Sequence, residues 1–178
     1  MKRVNVLHLL LEVLVIVGNI AVGMTLLTYI FQGAYIDRLL IGSITVALSL
    51  IQICDYFTLK FAVRRHSLQR LIAGFAFAAV GIIFIFMDLT MDLVCILFGA
   101  FSIAISLVNL ISSSTNLSRQ PLLNTGKIII RILTIVFSVF LIVKMEWFIY
   151  SYATFLGIAL LVEASILIVE FIIHRYQL

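Results

Sequence analysis

Six apolar runs, each about as long as a bilayer is thick, leave this chain few folds to choose from. They cover roughly residues 6–31, 39–61, 68–87, 91–113, 127–144 and 147–173. A helix crossing the hydrocarbon layer needs about 20 mostly apolar residues, and each run is near that length. The breaks between them are polar: Gln32–Arg38, Arg64–Ser67, Met87–Asp92, Ser112–Gly126 and Lys144–Glu146. None of the runs shows the alternating apolar and polar positions of a barrel strand. Composition agrees, since 64% of the 178 residues are hydrophobic and 11% charged, against about half and a quarter in soluble domains. The sequence therefore predicts an all-α integral membrane protein with six transmembrane helices in a single membrane domain over residues 1–178.

The basic residues predict an orientation. With the N-terminus inside, the inner loops and helix ends hold Lys2, Arg3, Lys60, Arg64, Arg65, Arg70, Arg119, Lys127, Arg131 and Arg175, while the outer loops hold only Arg38 and Lys144. That imbalance places both termini in the cytoplasm. It also explains the net charge of +4 as topology rather than as a nucleic-acid footprint. Lys2 and Arg3 ahead of an apolar run imitate a signal peptide, but the run continues to Phe31, which is too long for a cleaved segment. It reads as a retained first helix.

Within this frame the chain repeats itself. The run from Leu97 to Ile111, LFGAFSIAISLVNLI, lies over Leu40–Cys54, LIGSITVALSLIQIC, at an offset of 57. Gly42 matches Gly99, Thr45 matches Ser102, Ser49 matches Ser106 and Gln52 matches Asn109. In the first arms Gly23 overlays Gly81 at 58, and Arg70 onward overlays Lys127 onward at 57. Ser138 thereby takes the place of Gly81, Arg131 that of Gly74, and Gly157 falls opposite Gly99. A fixed offset that keeps glycine, hydroxyl and amide positions together is a repeat signal. The expected architecture is three parallel-repeat helical hairpins over approximately 6–61, 68–113 and 127–173, because copies that start and end on one side share their orientation.

Three apolar hairpins, each with a basic residue before its first arm and with glycines in the arms, resemble the HdeD-like family of small bacterial membrane proteins. The likeness covers nearly the whole chain and is clearest in residues 70–110. That family usually carries a proline near the outer turn, which here reads MDLTMD at 87–92 and KMEW at 144–147. The resemblance implies a multi-pass protein of the bacterial inner membrane, of a kind linked to acid resistance. The family has no agreed reaction, so the resemblance assigns no catalytic residue.

Two groups of residues stand out from the apolar background. Thr45 with Ser49, and Ser102 with Ser106, are i,i+4 pairs on single helix faces, and Gly42 and Gly99 extend those faces. Small faces let helix backbones approach where lipid supplies no hydrophobic drive, so these six are read as packing positions. The ionisable residues inside the runs are the sharper signal, because a charge at a helix centre costs ~2.5–3.5 kcal/mol on insertion scales. Glu163 lies near the middle of the sixth run, Glu12, Asp55 and Glu170 lie shallower, and Arg131 sits about one turn deep. An Arg131–Glu170 ion pair is expected between the fifth and sixth helices, and Asn19 is expected to bond across helices. Glu163 allows two readings, a proton- or cation-binding site within the bundle or a protonated carboxyl that holds a neighbouring helix in register.

Other chemistry is sparse. Cys54 and Cys95 read as small apolar fillers. His8, with Glu12 at i,i+4, His66 and His174 lie at the inner side. Asp88 and Asp92 read as solvated turn acids. The chain has no HExxH, GxSxG or P-loop motif and no Cys/His cluster. No enzyme, cofactor or metal site is expected. The lipid bilayer is the expected surrounding, with a membrane-protein partner or a second copy as a possible companion. Two function classes follow: a structural or stress-related membrane component, or a small proton- or cation-coupled transporter or channel using Glu163. An accessory subunit of a larger membrane complex is a third. A transporter needs a hydrated cavity at Glu163, whereas a structural module is packed shut there with the acid satisfied by a neighbour.

Overall fold

The computed structural model of the protein describes residues 6–33, 35–63, 68–114, 121–144 and 148–176. Six helices account for them: α1 (Val6–Phe31), α2 (Arg38–Val63), α3 (Leu68–Phe86), α4 (Met91–Ser114), α5 (Pro121–Lys144) and α6 (Ile149–Tyr176). No strand occurs among the described residues.

The helix ends follow local chemistry. α1 stops at Gly33, whose φ of 64° is the left-handed conformation that glycine adopts without steric cost. Asp37 opens α2 by accepting a 2.8 Å hydrogen bond from the Leu40 amide, which satisfies one of the free donors of a helix start. Pro121 is the first residue of α5, where its missing N–H costs nothing. This corrects the expected loop at Ser112–Gly126, because helix runs to Ser114 and resumes at Pro121. Residues 115–120, with the glycosylation-like Asn116–Ser118, lie outside the described residues, as do His66 and the side chains of His8 and His174.

Each helix packs on the one before and the one after it in sequence, and α6 returns to α1, so the helices close a ring. Arg38 pairs with Asp88 and donates to the Met87 carbonyl, which fixes the start of α2 beside the end of α3. The face of the ring that carries these turns is called the far face below. The opposite face, where α1 begins and α6 ends, is called the terminal face. The most extensive packing joins α2 to α3, α1 to α6 and α4 to α5, while α3–α4 and α5–α6 touch least. All three sequence-defined hairpins thus hold their neighbours more extensively than they hold themselves.

Glycine explains the three extensive junctions. A methyl group on Gly81 would fall 2.9 Å from the Gly42 carbonyl oxygen and 2.8 Å from Val46 Cγ2. One on Gly23 would meet the Gly157 carbonyl oxygen at 2.9 Å, and one on Gly99 the Ser138 carbonyl oxygen at 3.1 Å. At each junction one backbone lies against the next, with room for hydrogen alone. In lipid such close approach supplies dispersion and weak polar contact that larger residues would forfeit. The hydroxyls nearby do not cross between helices in α2. Thr45 donates to Ile41 O at 2.6 Å and Ser49 to Val46 O at 2.6 Å, so both are satisfied within their own helix.

The outward faces are apolar. Leu10, Leu14, Val17 and Met24 of α1, and Ile129, Ile132, Val136, Val139 and Val143 of α5, are all exposed. A soluble monomer rarely shows a belt of this extent, and it suits a lipid surrounding. Among the described residues five helices are long and apolar enough to cross a membrane. α3 is the exception to the six expected spans. It has 19 residues, and its apolar part is Leu71–Phe86, because Gln69 and Arg70 occupy its first turn.

The glycine junctions make a specific prediction. Ala at position 81 and Ala at position 126 gain the same helix propensity, but at Gly126 the nearest atom is the flexible Ile166 Cδ1 at 3.3 Å. Gly81→Ala is expected to fall below Gly126→Ala by about 1–3 kcal/mol, the usual cost of overpacking. Thermal or denaturant unfolding of the two variants in mild detergent measures the difference.

Candidate functional site: a polar seam between α5 and α6

Four charged side chains of α5 and α6 meet in one place. Residues 127, 131, 134 and 138 recur on α5 at intervals of four, three and four, so they share a face. On α6, residues 170, 163 and 152 are separated by seven and eleven, close to two and three turns. Antiparallel packing brings the two stripes together. Lys127 Nζ donates to both oxygens of Glu170 at 2.7 Å. Arg131 pairs with Glu163. Further toward the far face, the Ser138 hydroxyl lies 3.3 Å from the Tyr152 hydroxyl, and Ser102 of α4 also hydrogen-bonds Tyr152.

The expected Arg131–Glu170 pair is therefore not the one that forms. Arg131 takes the deeper acid, and Lys127, one turn nearer the terminal face, takes Glu170. Between the pairs α5 advances four residues and α6 seven, a mismatch of ~4.5 Å at 1.5 Å per residue. The long arginine and lysine side chains absorb it. Glu163 is consequently held by a cation, not by the neutral partner that a register-holding protonated carboxyl would need. Both pairs are partly shielded, with side-chain exposures of 15% and 17% for Arg131 and Glu163 and 20% and 24% for Lys127 and Glu170. Stripped of water, each charge would be costly alone. Paired, the charges neutralise one another, and the chain tolerates four of them inside apolar runs.

The other candidates lie apart from this seam. Asn19 is buried, but its Nδ2 donates to Val15 O of its own helix at 3.0 Å. The expected bond from Asn19 to another helix is replaced by this local one, four residues back, which satisfies the amide within α1. Glu12 and Asp55 are half-buried on α1 and α2, and both engage in interactions of their own. Gly42, Thr45, Ser49, Gly99, Ser102 and Ser106 are all buried. Asn109 donates to Gln52 at a long 3.4 Å, so the amide pair matched by the 57-residue offset also meets in space. Among the described residues no group of three His, Cys, Asp or Glu side chains is placed to hold a metal ion.

Tyr152 is the residue that sequence reasoning missed. It is the largest fully buried side chain among the described residues, and its hydroxyl joins α6 to α4 and α5. A tyrosine in an apolar run is ordinarily read as a membrane-interface anchor. The available signal was Ser138, a hydroxyl standing where Gly81 stands in the repeat register. Beside Tyr152, nearer the far face, lies a void of about 20 Å³ bordered by Leu26, Ile41, Phe98, Ile149 and Leu156. It could hold one water by size, but its walls are apolar and such voids stay dry. It does not include Glu163 or Arg131 among its lining residues.

No family model, curated protein or solved structure matches this chain.

Breaking one half of the deeper pair strands a charge in a low-dielectric site. Arg131→Leu and Glu163→Leu are each expected to lower stability by about 3 kcal/mol or more, while the double variant recovers most of the loss. A double-mutant cycle by denaturant unfolding in detergent measures this. Losses that simply add would show that the two side chains do not interact.

Proposed function

We propose that the protein is a packed multi-pass module of a bacterial cytoplasmic membrane, of the HdeD-like structural or stress-related type, rather than a transporter or an enzyme. The observation that carries this reading is the pairing of Glu163 with Arg131. The one acid at mid-membrane depth is neutralised by its neighbouring helix, as a module with no path from face to face requires, and the void near Tyr152 is separate from it. A carrier that uses Glu163 as its proton or cation site would need that carboxylate open to each face in turn.

The architecture belonging to this reading is a ring of three parallel hairpin repeats, with six crossings and both termini inside. Its support is the register of the close junctions. Gly42 with Gly81, Gly99 with Ser138 and Gly157 with Gly23 are related by steps of 57 or 58 residues along both arms, as three equivalent interfaces would be. α3 crosses in spite of its length, because the Arg38–Asp88 pair sets the start of α2 beside the end of α3, so the two run in opposite directions. The bias of lysine and arginine toward one side favours a cytoplasmic terminal face.

Two measurements test the proposal. Reporter fusions at residues 1 and 178 are expected to report the cytoplasm at both ends. In proteoliposomes with an imposed pH gradient or potential, proton and cation flux is expected to equal that of protein-free vesicles and to be unchanged by Glu163→Gln. A flux above that background which Glu163→Gln abolishes would overturn the structural reading in favour of transport.

A further inference from the structure

The six junctions of the ring are not alike in what water could do to them. At α2–α3, α4–α5 and α1–α6 a backbone lies against a glycine, and the buried hydroxyls there, Thr45, Ser49 and Ser138, donate within their own helices. α5–α6 has one glycine, Gly126, and that one touches only the end of the Ile166 side chain. What holds α5 to α6 instead is the sequence of polar links from Lys127–Glu170 through Arg131–Glu163 to Ser138–Tyr152. From Glu170 to Tyr152 these span eighteen residues of α6, or ~27 Å. α5 is also the least enclosed of the five long spans, with 17% of its window buried against 28% to 39% for the others.

A paired charge in hydrocarbon has two stable states, paired or hydrated, and hydration competes directly with the pair. Exposure falls along the seam, from Lys127 and Glu170 to Arg131 and Glu163, so the terminal face is where water gains entry. Past Tyr152 the seam loses its polar groups. Phe140 lies against Phe148 with ring centroids 5.6 Å apart, and Leu141 is fully buried. We propose that the α5–α6 seam is a water-admitting crevice that opens from the terminal face, parts the two ion pairs in turn, and ends blind at the Tyr152 hydroxyl.

The crevice rests on the closed reading proposed above, because it admits water to Glu163 from one face and no further. It conducts nothing across the membrane, so labelling and flux report on the two proposals separately. In full-length protein with Cys54 and Cys95 replaced by alanine, a single cysteine replaces Thr134, on the seam one turn past Arg131. A second variant carries it at Val46, on the α2–α3 junction. Both are reconstituted and exposed to the membrane-impermeant thiol reagent MTSET from either side. Thr134→Cys is expected to react from the side that carries the termini, at least tenfold faster than Val46→Cys, and faster again when Glu163→Gln is added. Equal rates at the two positions would overturn the crevice, and so would reaction of Thr134→Cys from the far-face side. Hydrogen exchange of the cysteine-containing native protein gives a reading that needs no variant. Amides of residues 127–134 are expected to exchange faster than those of residues 42–49, and the reverse order would equally refute the proposal.

Discussion

Everything in this ring depends on backbones being allowed to touch. Lipid tails are as apolar as leucine, so helices in a bilayer gain little by hiding side chains from their surroundings. Contact has to come from shape. At three junctions the chain supplies it with glycine, and at α4–α5 Ser138 stands across from Gly99 in place of a second glycine. Those contacts set which helices are neighbours, and the neighbours set where each polar side chain ends up. Tyr152 meets Ser102 and Ser138 because α4, α5 and α6 are already brought together.

The charge pairs are a consequence of that arrangement. Arg131 and Glu163 stand on helices whose junction is among the least extensive in the ring, and long polar side chains bridge what close backbones bridge elsewhere. At the 57-residue sequence offset Arg131 matches Gly74, which lies against α2 near Ser49 and Ile53. Where one position makes a close contact the other makes a charged one, a trade between the two. Replacing a buried pair by apolar residues is often neutral or stabilising, so the trade is not explained by stability alone. A seam that water can reach gives it a physical role.

Much of the fold was legible in the sequence, and the reasons are specific. Helix positions followed from run length, and the observed helices differ from the runs mainly at their ends. The stretch 112–126 misled because Pro121 reads equally as a loop residue or as the first residue of a helix, and the flanking serines and asparagines favoured the loop. The charged residues were recognised by cost alone, but their pairing was not. Cα depth put Arg131 level with Glu170, and only the length of the arginine side chain and the phase of α6 bring it to Glu163. Tyr152 escaped because its partners, Ser102 and Ser138, lie 50 and 14 residues away on different helices. No local pattern marks such a meeting.

The packing of α1 on α6 has a consequence for how the protein is made. The helix against which α1 packs most closely is synthesised after the four that lie between them. While residues 32 to 148 are being added, the surface of α1 around Gly23 has no Gly157 to rest on and must be covered by lipid or by the insertion machinery. Ring closure then waits for all six helices and is the contact with the greatest sequence separation among them, the kind that forms slowly. A truncated chain lacking α6 would lose one helix directly and deprive another, already in place, of its main partner.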